Sequence, residues 1–293
     1  MNAKTRELMR DVIIAGIALT AVSGCSRQRA EDENQRRYIT IKGSDTMVHL
    51  VSTWAEAFMR EDPNIEVSVT GGGSGTGIAA LLNSTTDVCA ASREIKYKEL
   101  LQAAEKNIHP HEIVVAKDGI AVVVHPDNPV NELTIAQLSR IFTGAASRWS
   151  DVGGPDERIV VFSRESSSGT YVFFQEMVLN KRDYMVDAKL LPATSAIIES
   201  ASRDKRAIGY VGLGYALAAK DRVKIVAVKA DDKSPAVTPS NETVKSGEYP
   251  IARPLYLYLD GEPKGTLREF VDFCLSNKGQ AIVTKTGYVA VRQ

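Results

Sequence analysis

The sequence predicts an α/β protein in which a parallel or mixed β-sheet is covered by helices on both faces. Strand-like and helix-like runs alternate along most of the chain, and several strands end in loops rich in Gly, Ser and Thr. The chain has 293 residues, of which 44% are hydrophobic and 25% charged, as in soluble globular proteins. This length allows one large domain or two lobes.

The elements of the first half follow from the periodicity of apolar residues. Residues 37–44 alternate like a strand, and Met47, Leu50, Val51, Trp54 and Phe58 then recur at helical spacing. Further strands are predicted at 64–70 and 87–95, and further helices at 78–83 and 97–106. Residues 112–126 contain two strand-like runs on either side of Lys117–Gly119.

The second half continues the alternation. Helices are predicted at 134–144 and 169–180, strands at 158–164 and 249–260, sheet or loop at 207–217 and 223–228, and an amphipathic helical region at 267–287. In an open α/β sheet, ligands bind beyond the carboxyl ends of strands, where helices begin. Loops of this kind occur at residues 42–47, 71–77, 91–95 and 163–170, and we expect them to surround one small anion.

The N-terminus is predicted to be a targeting segment. Basic residues precede the apolar run at residues 12–22, which is too short to span a bilayer and has the length of a signal-peptide core. The run ends in Val-Ser-Gly-Cys, which resembles the lipobox of bacterial lipoproteins. We therefore expect a signal peptide at 1–24, lipidation of Cys25 and a polar tether at 25–37, with an uncleaved anchor as the alternative.

Composition excludes some classes of function. Lys+Arg and Asp+Glu both number 36, so no net basic field favours nucleic acid as a partner. Besides Cys25, only Cys89 and Cys274 remain, and both lie in apolar segments. We expect them to be buried thiols, although a disulfide is possible in an exported protein.

The glycine-rich segment at 71–77 lacks the Lys-Ser/Thr ending of a P-loop and the spacing of a dinucleotide fingerprint. It offers Ser74 and backbone N–H groups at the start of a helix, which suits an anion. The signal is weak, because many glycine-rich turns bind nothing.

The segment at 164–170 reads Arg-Glu-Ser-Ser-Ser-Gly-Thr. Arg164 offers a planar fork for two oxygens, and Ser168, Gly169 and Thr170 offer hydroxyl and N–H donors at a helix start. Ser168 could equally be an ordinary helix cap. Neither Ser74 nor Ser168 lies in a nucleophile elbow.

The chain has four histidines, His49, His109, His111 and His125. None lies next to Ser74 or Ser168 in the sequence, so an exported serine hydrolase has no obvious base, although a spatial neighbour remains open. The histidines also lack a ligand set at useful spacing, so no metal or other cofactor is expected.

Taken in order, these motifs resemble a known family. The segments Gly-Ser-Asp-Thr-Met (43–47), 71–77, Ala-Ser-Arg-Glu-Ile (91–95) and 164–170, with 208–215 and 249–258, are similar to the phosphate-binding component of the bacterial phosphate ABC transporter, in its shorter branch. The resemblance runs from about Tyr38 to the C-terminus. It implies a non-enzymatic, exported, lipid-anchored protein that captures inorganic phosphate and passes it to the permease subunits.

The resemblance also implies a class II periplasmic-binding-protein fold, with two α/β lobes joined by a two-strand hinge. Lobe 1 would comprise 38–117 and 251–293, and lobe 2 would comprise 118–250. We expect a monomer. A binder of sulfate, molybdate or another tetrahedral oxyanion, and an adhesin or sensory subunit that kept only the fold, are the alternatives.

The phosphate ligands implied by the family fall in both lobes. In lobe 1 they are Thr46, the N–H of Met47 and Ser74, and in lobe 2 they are Arg164, Ser168, Gly169 and Thr170. Ser44, Ser92 and Arg93, in the same loops of lobe 1, complete the set of expected phosphate-binding residues. Arg164 is expected to be the principal charge partner and Arg93 the second, unless Arg93 pairs with an acid. Arg93 stands where the longer branch has an aspartate that accepts the proton of hydrogen phosphate. Asp45 or Glu165 could supply that acceptor.

We predict that Cys25→Ser releases the protein from membranes, because the variant has no thiol to carry the lipid. Fractionation of cells that express the wild type and the variant measures this. Persistence of the variant in the membrane fraction would contradict the lipoprotein prediction.

Overall fold

The computed structural model describes residues 37–292, so the predicted signal peptide, Cys25 and nearly all of the tether lie outside the described residues. The strands are β1 (Arg37–Gly43), β2 (Ile65–Thr70), β3 (Val88–Ala91), β4 (Pro110–Val124), β5 (Glu132–Thr134), β6 (Val160–Arg164), β7 (Lys189–Leu191), β8 (Ala207–Gly212), β9 (Lys224–Lys229) and β10 (Ala252–Asp260). Within residues 37–292, no helix has the length and apolar character needed to cross a bilayer.

Ten α-helices are assigned among the described residues. They are α1 (Val48–Glu61), α2 (Ser74–Leu82), α3 (Tyr97–Glu105), α4 (Ile135–Phe142), α5 (Gly169–Met177), α6 (Thr194–Arg203), α7 (Leu213–Ala218), α8 (Asn241–Ser246), α9 (Gly265–Leu275) and α10 (Asn277–Lys285). A 3₁₀ turn at Asp45–Met47 leads directly into α1.

The strands follow one path, in the order β2-β1-β3-β10-β4-β8-β6-β7, with β9 beside β4 and β5 beside β9. β1 is parallel to β2 and β3, and β6 is parallel to β7 and β8. β10 runs antiparallel to both of its neighbours. The mixed sheet predicted from the alternation of elements is therefore present.

The long strand β4 joins the two halves of this path. Its residues 110–119 pair with β10, and its residues 120–124 pair with β8. The two runs predicted around Lys117–Gly119 are thus one continuous strand, because the same backbone finds a partner on each side of the crossing.

Alternate side chains of β4 and β10 are buried on opposite faces of the sheet, so both faces are covered, as predicted. On β10, Leu255, Leu257 and Leu259 pack into one apolar cluster, while Tyr256 and Tyr258 pack into another on the opposite face. On β4, Val122 and Val124 belong to one cluster and Ala121 and Val123 to its counterpart. Successive residues of a strand point to opposite faces, so a strand buried on both faces is apolar throughout.

Pro254 lies inside β10 without breaking it. Its partner on one side is Lys117 of β4, and β3 pairs only with Tyr256–Tyr258. The missing N–H of Pro254 therefore falls where β10 has no second neighbour, and a register shift follows between Leu255 and Tyr256.

Two separate cores define two α/β lobes, as predicted. In the first, Trp54 and Phe58 of α1 pack with Phe270 of α9. In the second, Phe142 of α4 packs with Phe174 of α5, which stacks on Tyr210 with ring centroids 4.0 Å apart. Aromatic side chains bury large apolar areas, so each lobe has a core of its own.

Both cysteines within the described residues are free and buried, which confirms the prediction of buried thiols. Cys274 belongs to the core of the first lobe, and Cys89 belongs to the cluster on the other face of that sheet. Burial raises the pKa of both thiols above the ordinary value.

Two segments differ in detail from their sequence-based expectations. Residues 207–217 divide into β8 and α7, with Gly212 as the last residue of the strand and the N-cap of the helix. The C-terminal helical region divides at Ser276, whose hydroxyl accepts the N–H of Gly279 and caps α10.

We predict that Phe270→Ala lowers the free energy of unfolding by about 3–5 kcal/mol, because it removes a fully buried ring and leaves a cavity. Guanidinium unfolding measures the change. The matched control is Arg268→Ala on the same helix, which breaks only an exposed pair with Asp272 and should change stability by about 0.5 kcal/mol or less. Similar effects of both substitutions would contradict the assigned core.

Candidate functional site

Four loops meet at the face between the lobes, each at the carboxyl end of a strand. Three follow β1, β2 and β3 in the first lobe, and the fourth follows β6 in the second. Parallel strands place their carboxyl ends at one edge, so the first three loops must be neighbours. Gly43 allows the end of β1 to approach β3 closely, since a Cβ at this position would lie 2.0 Å from the carbonyl oxygen of Ala90.

Three buried serines interlock these loops. The Ser44 hydroxyl donates to Ser92 Oγ at 2.9 Å, and the Ser92 N–H donates to Ser74 Oγ at 3.0 Å. The Ser74 and Ser92 hydroxyls are themselves 3.2 Å apart. The structure therefore brings together three of the predicted lobe 1 residues as a cluster of hydroxyl groups, with the N-terminus of α2 beginning at Ser74.

The second lobe presents the N-terminus of α5 to this cluster. Ser168 caps α5 by accepting the N–H of Thr170 at 3.2 Å, so the predicted cap is present. Gly169 touches the serines directly, since a Cβ there would lie 2.3 Å from Ser74 Oγ and 2.6 Å from Ser92 Oγ. The positive end of a helix dipole thus faces hydroxyl groups from the opposite lobe.

Further hydrogen bonds connect the lobes around this point. The hydroxyls of Thr46 and Thr170 are 2.8 Å apart, and the N–H of Gly75 donates to the Ser167 carbonyl at 2.9 Å. The N–H of Met47, a predicted ligand, donates to the Ser44 carbonyl at 3.0 Å within its own turn. The structure is thus a closed arrangement in which polar groups of both lobes meet.

Arg164 lies at the end of β6 and is almost fully buried. Its Nη1 donates to Asp45 Oδ2 at 3.1 Å and to Thr194 Oγ1 at 2.7 Å, while Nη2 and Nε donate to the carbonyls of Pro192 and Leu191. Burial lowers the pKa of Arg164, and the Asp45 carboxylate opposes that shift. The predicted charge partner of the ligand therefore has an acidic partner within the protein.

Arg93 likewise has a partner of its own. Nη1 and Nη2 donate to the two carboxylate oxygens of Glu99, each at 2.8 Å. Burial pushes the pKa of Glu99 upward, but the hydrogen bonds from Arg93 and from the Lys96 N–H, together with the charges of both residues, outweigh it and lower the pKa. This two-point pairing corresponds to the acid-paired alternative considered for Arg93, and it uses the atoms that would best bind an oxyanion.

Sequence reasoning missed a third guanidinium, that of Arg253 on β10. Its Nη1 donates to the Ser92 carbonyl at 2.7 Å, and its Nη2 donates to Thr170 Oγ1 at 2.9 Å and to Asp118 Oδ2 at 3.1 Å. Arg253 therefore contacts both lobes beside the serine cluster. In the sequence, the feature that could have identified Arg253 is its position inside an otherwise apolar strand.

Asp118 and Arg253 form a completely buried ion pair where β4 and β10 cross between the lobes. Asp118 Oδ1 also accepts the N–H of Leu213 from the second lobe. Burial raises the pKa of Asp118 and lowers that of Arg253, and each partner opposes the shift of the other.

The alternatives with catalytic or metal chemistry find no support in the contacts of these residues. The Ser74 hydroxyl bonds to Ser92, and Ser168 Oγ accepts helix N–H groups. His111 and His125 face Glu262 and Asp127. Within the described part of the chain, no group of three His, Cys, Asp or Glu side chains could hold a metal ion.

Comparison with known proteins gives consistent matches. A family model described as a PBP superfamily domain matches residues 29–278. The chain is 37% identical to the phosphate-binding protein PstS of Staphylococcus haemolyticus over 255 residues, which is 85% of this chain and 79% of that protein.

Solved structures show the same fold. A putative phosphate ABC transporter substrate-binding protein with bound phosphate, from Clostridium perfringens, matches with a TM-score of 0.78 and 31% identity, covering 87% of this chain and all of that one. An ABC-type phosphate transport receptor from Vibrio cholerae matches with a TM-score of 0.69 and 26% identity, covering 86% and 99%. The class II periplasmic-binding fold expected from the sequence is confirmed.

We predict that Arg253→Met lowers the free energy of unfolding by about 3–5 kcal/mol, because it leaves the Asp118 carboxylate buried without a cation. Urea unfolding measures the loss, and adding Asp118→Leu to the same chain should restore much of it. The control Arg206→Met breaks the exposed pair with Asp204 and should cost about 1 kcal/mol or less. An Arg253→Met variant as stable as this control would show that the buried pair is not structurally required.

Proposed function

Because this chain belongs to the PBP superfamily and, within it, to the family of PstS phosphate-binding proteins, we propose that it captures inorganic phosphate between its lobes. It then delivers the phosphate to the permease of an ABC transporter. The relatives that support this proposal are named as phosphate-binding proteins, and one similar structure contains bound phosphate. On this proposal the protein is a binder and not an enzyme.

One observation carries the proposal. The N-terminus of α5 from one lobe meets the Ser74 and Ser92 hydroxyls of the other, at a contact so close that only glycine fits at position 169. A phosphate dianion needs many donors from several directions, and helix N-termini supply them without adding a mobile charge. A small separation of the lobes would leave these donors arranged around a space for one tetrahedral ion.

We assign the phosphate seat to donors of both lobes. They are the hydroxyls of Ser44, Thr46, Ser74, Ser92, Ser168 and Thr170, the backbone N–H of Gly169 and the guanidinium of Arg164, the predicted principal charge partner. The N–H of Met47 can join them only when its hydrogen bond to the Ser44 carbonyl breaks. We add Arg253 to the seat beside the predicted Arg93, since Arg253 touches both Ser92 and Thr170. The buried Nε atoms of Arg93 and Arg253 both have no hydrogen-bond partner within residues 37–292, so each keeps a donor for a bound oxygen.

We further propose that the lobes divide near residues 117–118 and 250–251, so that 38–117 with 251–293 forms lobe 1 and 118–250 forms lobe 2. The hinge is then the pair of strands β4 and β10, on which Asp118 and Arg253 lie. Phosphate would close the lobes by binding donors of both. The protein would act as a monomer, held by lipid on Cys25 to the outer face of a membrane.

Selection of phosphate over sulfate requires an acceptor for the proton of hydrogen phosphate. Asp45 was one candidate, but its Oδ2 accepts hydrogen bonds from Arg164 and Thr194. The other candidate, Glu165, is exposed. Neither contact pattern favours a proton acceptor at the seat, so sulfate and arsenate belong in any binding test.

We predict that the wild type binds phosphate in calorimetry and that Gly169→Ala weakens this binding by about tenfold or more, the equivalent of 1.4 kcal/mol. The added methyl group would collide with Ser74 and Ser92 on closure. Ser166→Ala, at an exposed position of the same loop, is the matched control and should bind normally. A folded wild type that binds sulfate but not phosphate would overturn the proposed ligand.

A further inference from the structure

Residues 287–290, which we call the C-terminal segment, lie at the crossing between the lobes. Val289 pairs with Lys117 of β4, and each of the two residues donates its N–H to the carbonyl of the other, at 2.8 and 2.9 Å. Tyr288 packs in the core of the first lobe, whereas Val289 packs in the core of the second. Besides β4 and β10, a third stretch of backbone therefore touches both lobes where they join.

The C-terminal segment makes a backbone contact with α7 of the second lobe. A Cβ at Gly287 would lie 2.6 Å from Gly214 Cα, and a Cβ at Gly214 would lie 2.5 Å from the Thr286 carbonyl oxygen. Gly214 follows Leu213, whose N–H donates to Asp118 Oδ1. The contact therefore lies on the same face of β4 as the Asp118 side chain. This is the front face, on which the arginine partner of Asp118 reaches the proposed phosphate seat.

The back face of the crossing holds a cavity. Gly119, the residue after Asp118, is oriented to the back, since a Cβ there would lie 2.6 Å from Val244 Cγ2 of α8. A cavity of about 430 Å³ lies between α8, α10 and the C-terminal segment, and Ala281 of α10 is on its wall. On the proposed division, α8 belongs to the second lobe and α10 to the first. Opening the lobes at the front moves these helices together, and the cavity provides the room.

The position of the glycine contact suits an axis of rotation. Gly214 is two residues after Gly212, which pairs with Ile120, and Gly287 is two residues before Val289. A contact so close to the crossing strands changes little during a rotation about them, whereas the loops of the seat move apart to admit an anion. Two glycines let the backbones touch, so no side chain obstructs the rotation.

We propose that the C-terminal segment is a third element of the hinge, and that the contact between Gly214 and Gly287 is the pivot on which the lobes close. The two glycines are positioning residues, because they set the angle between the lobes at which the seat forms. A group added at the pivot holds the lobes apart, and a group added in the cavity behind it resists opening. The effect on affinity rests on the proposed function, whereas the angle can be measured without a ligand.

The test compares Gly214→Ala, at the front, and Ala281→Trp, at the back, with the wild type. Gly214 does not have a positive φ, so alanine fits its backbone and only the contact is changed. The matched controls are Leu217→Ala, at an exposed position of the same helix, and Lys285→Trp, at an exposed position of α10 outside the cavity wall.

The distance between the lobes is measured by electron paramagnetic resonance. One nitroxide is attached at Tyr97→Cys and one at Val186→Cys, both at exposed positions in opposite lobes. The Cys25→Ser background leaves Cys89 and Cys274, which are buried, so the introduced thiols are labelled selectively. Calorimetry gives phosphate and arsenate affinities, and urea unfolding gives the stability of each variant.

We expect Gly214→Ala to lengthen the distance between the labels. It should weaken phosphate and arsenate binding by the same factor, roughly tenfold or more, because closing must displace a backbone carbonyl. Ala281→Trp should shorten the mean distance without ligand and tighten the binding of both anions roughly threefold or more. The urea midpoint of Gly214→Ala should match that of the wild type, and both controls should behave as the wild type.

Other results would overturn the pivot. A folded Gly214→Ala variant with the wild-type distance and affinity would show that the contact does not set the angle. If Gly214→Ala did not fold, an Ala281→Trp variant with unchanged distance and affinity would overturn the pivot in its place. Unequal losses for phosphate and arsenate would show that Gly214 acts on the ligand. A wild type that binds no phosphate, with both distances shifted as expected, would defeat the proposed function and leave the pivot standing.

Discussion

The buried pair of Asp118 and Arg253 ties the molecule together at the place where the chain passes between its lobes. Each residue lies on one of the two crossing strands, and together they reach Ser92 of the first lobe and Thr170 and Leu213 of the second. Separating two buried charges costs free energy, because each charge is then left uncompensated in an apolar environment. The pair thus fixes where the two strands lie and, with them, where the four loops meet.

The contacts between the lobes differ in kind from those within them. Each lobe has a core of aromatic and aliphatic side chains on both faces of the sheet. The facing surfaces around the site instead meet through hydroxyls, backbone groups and the ion pair of Asp45 with Arg164. Water can replace such contacts at little net cost, so a polar interface of this kind favours an equilibrium between open and closed forms.

This division of roles explains how one small ion could govern a large motion. On the proposed hinge motion, the apolar cores would keep each lobe rigid, and the polar surfaces would leave the free energies of the open and closed forms close together. A ligand then shifts the population by its preference for the closed form alone.

Much of the fold and part of the site could be predicted from local sequence. Apolar periodicity located most strands and helices, and the four loops with Ser74, Ser92, Ser168 and Gly169 were identifiable because a helix start and a strand end are local features. The short strands β5 and β7 and the helix α6 gave too weak a pattern in so few residues. Burial of both sheet faces likewise followed from continuous apolar runs.

The partners of the arginines could not be predicted in this way, because a side chain that is long and charged is paired by whatever the fold brings near it. Glu99 lies six residues from Arg93, but Asp45 lies 119 residues from Arg164 and Asp118 lies 135 from Arg253. The sequence by itself determined which residues can donate to an anion. Only the tertiary structure decided which of them are already engaged, since hydrogen bonds and ion pairs depend on distances between residues that can lie far apart in the sequence.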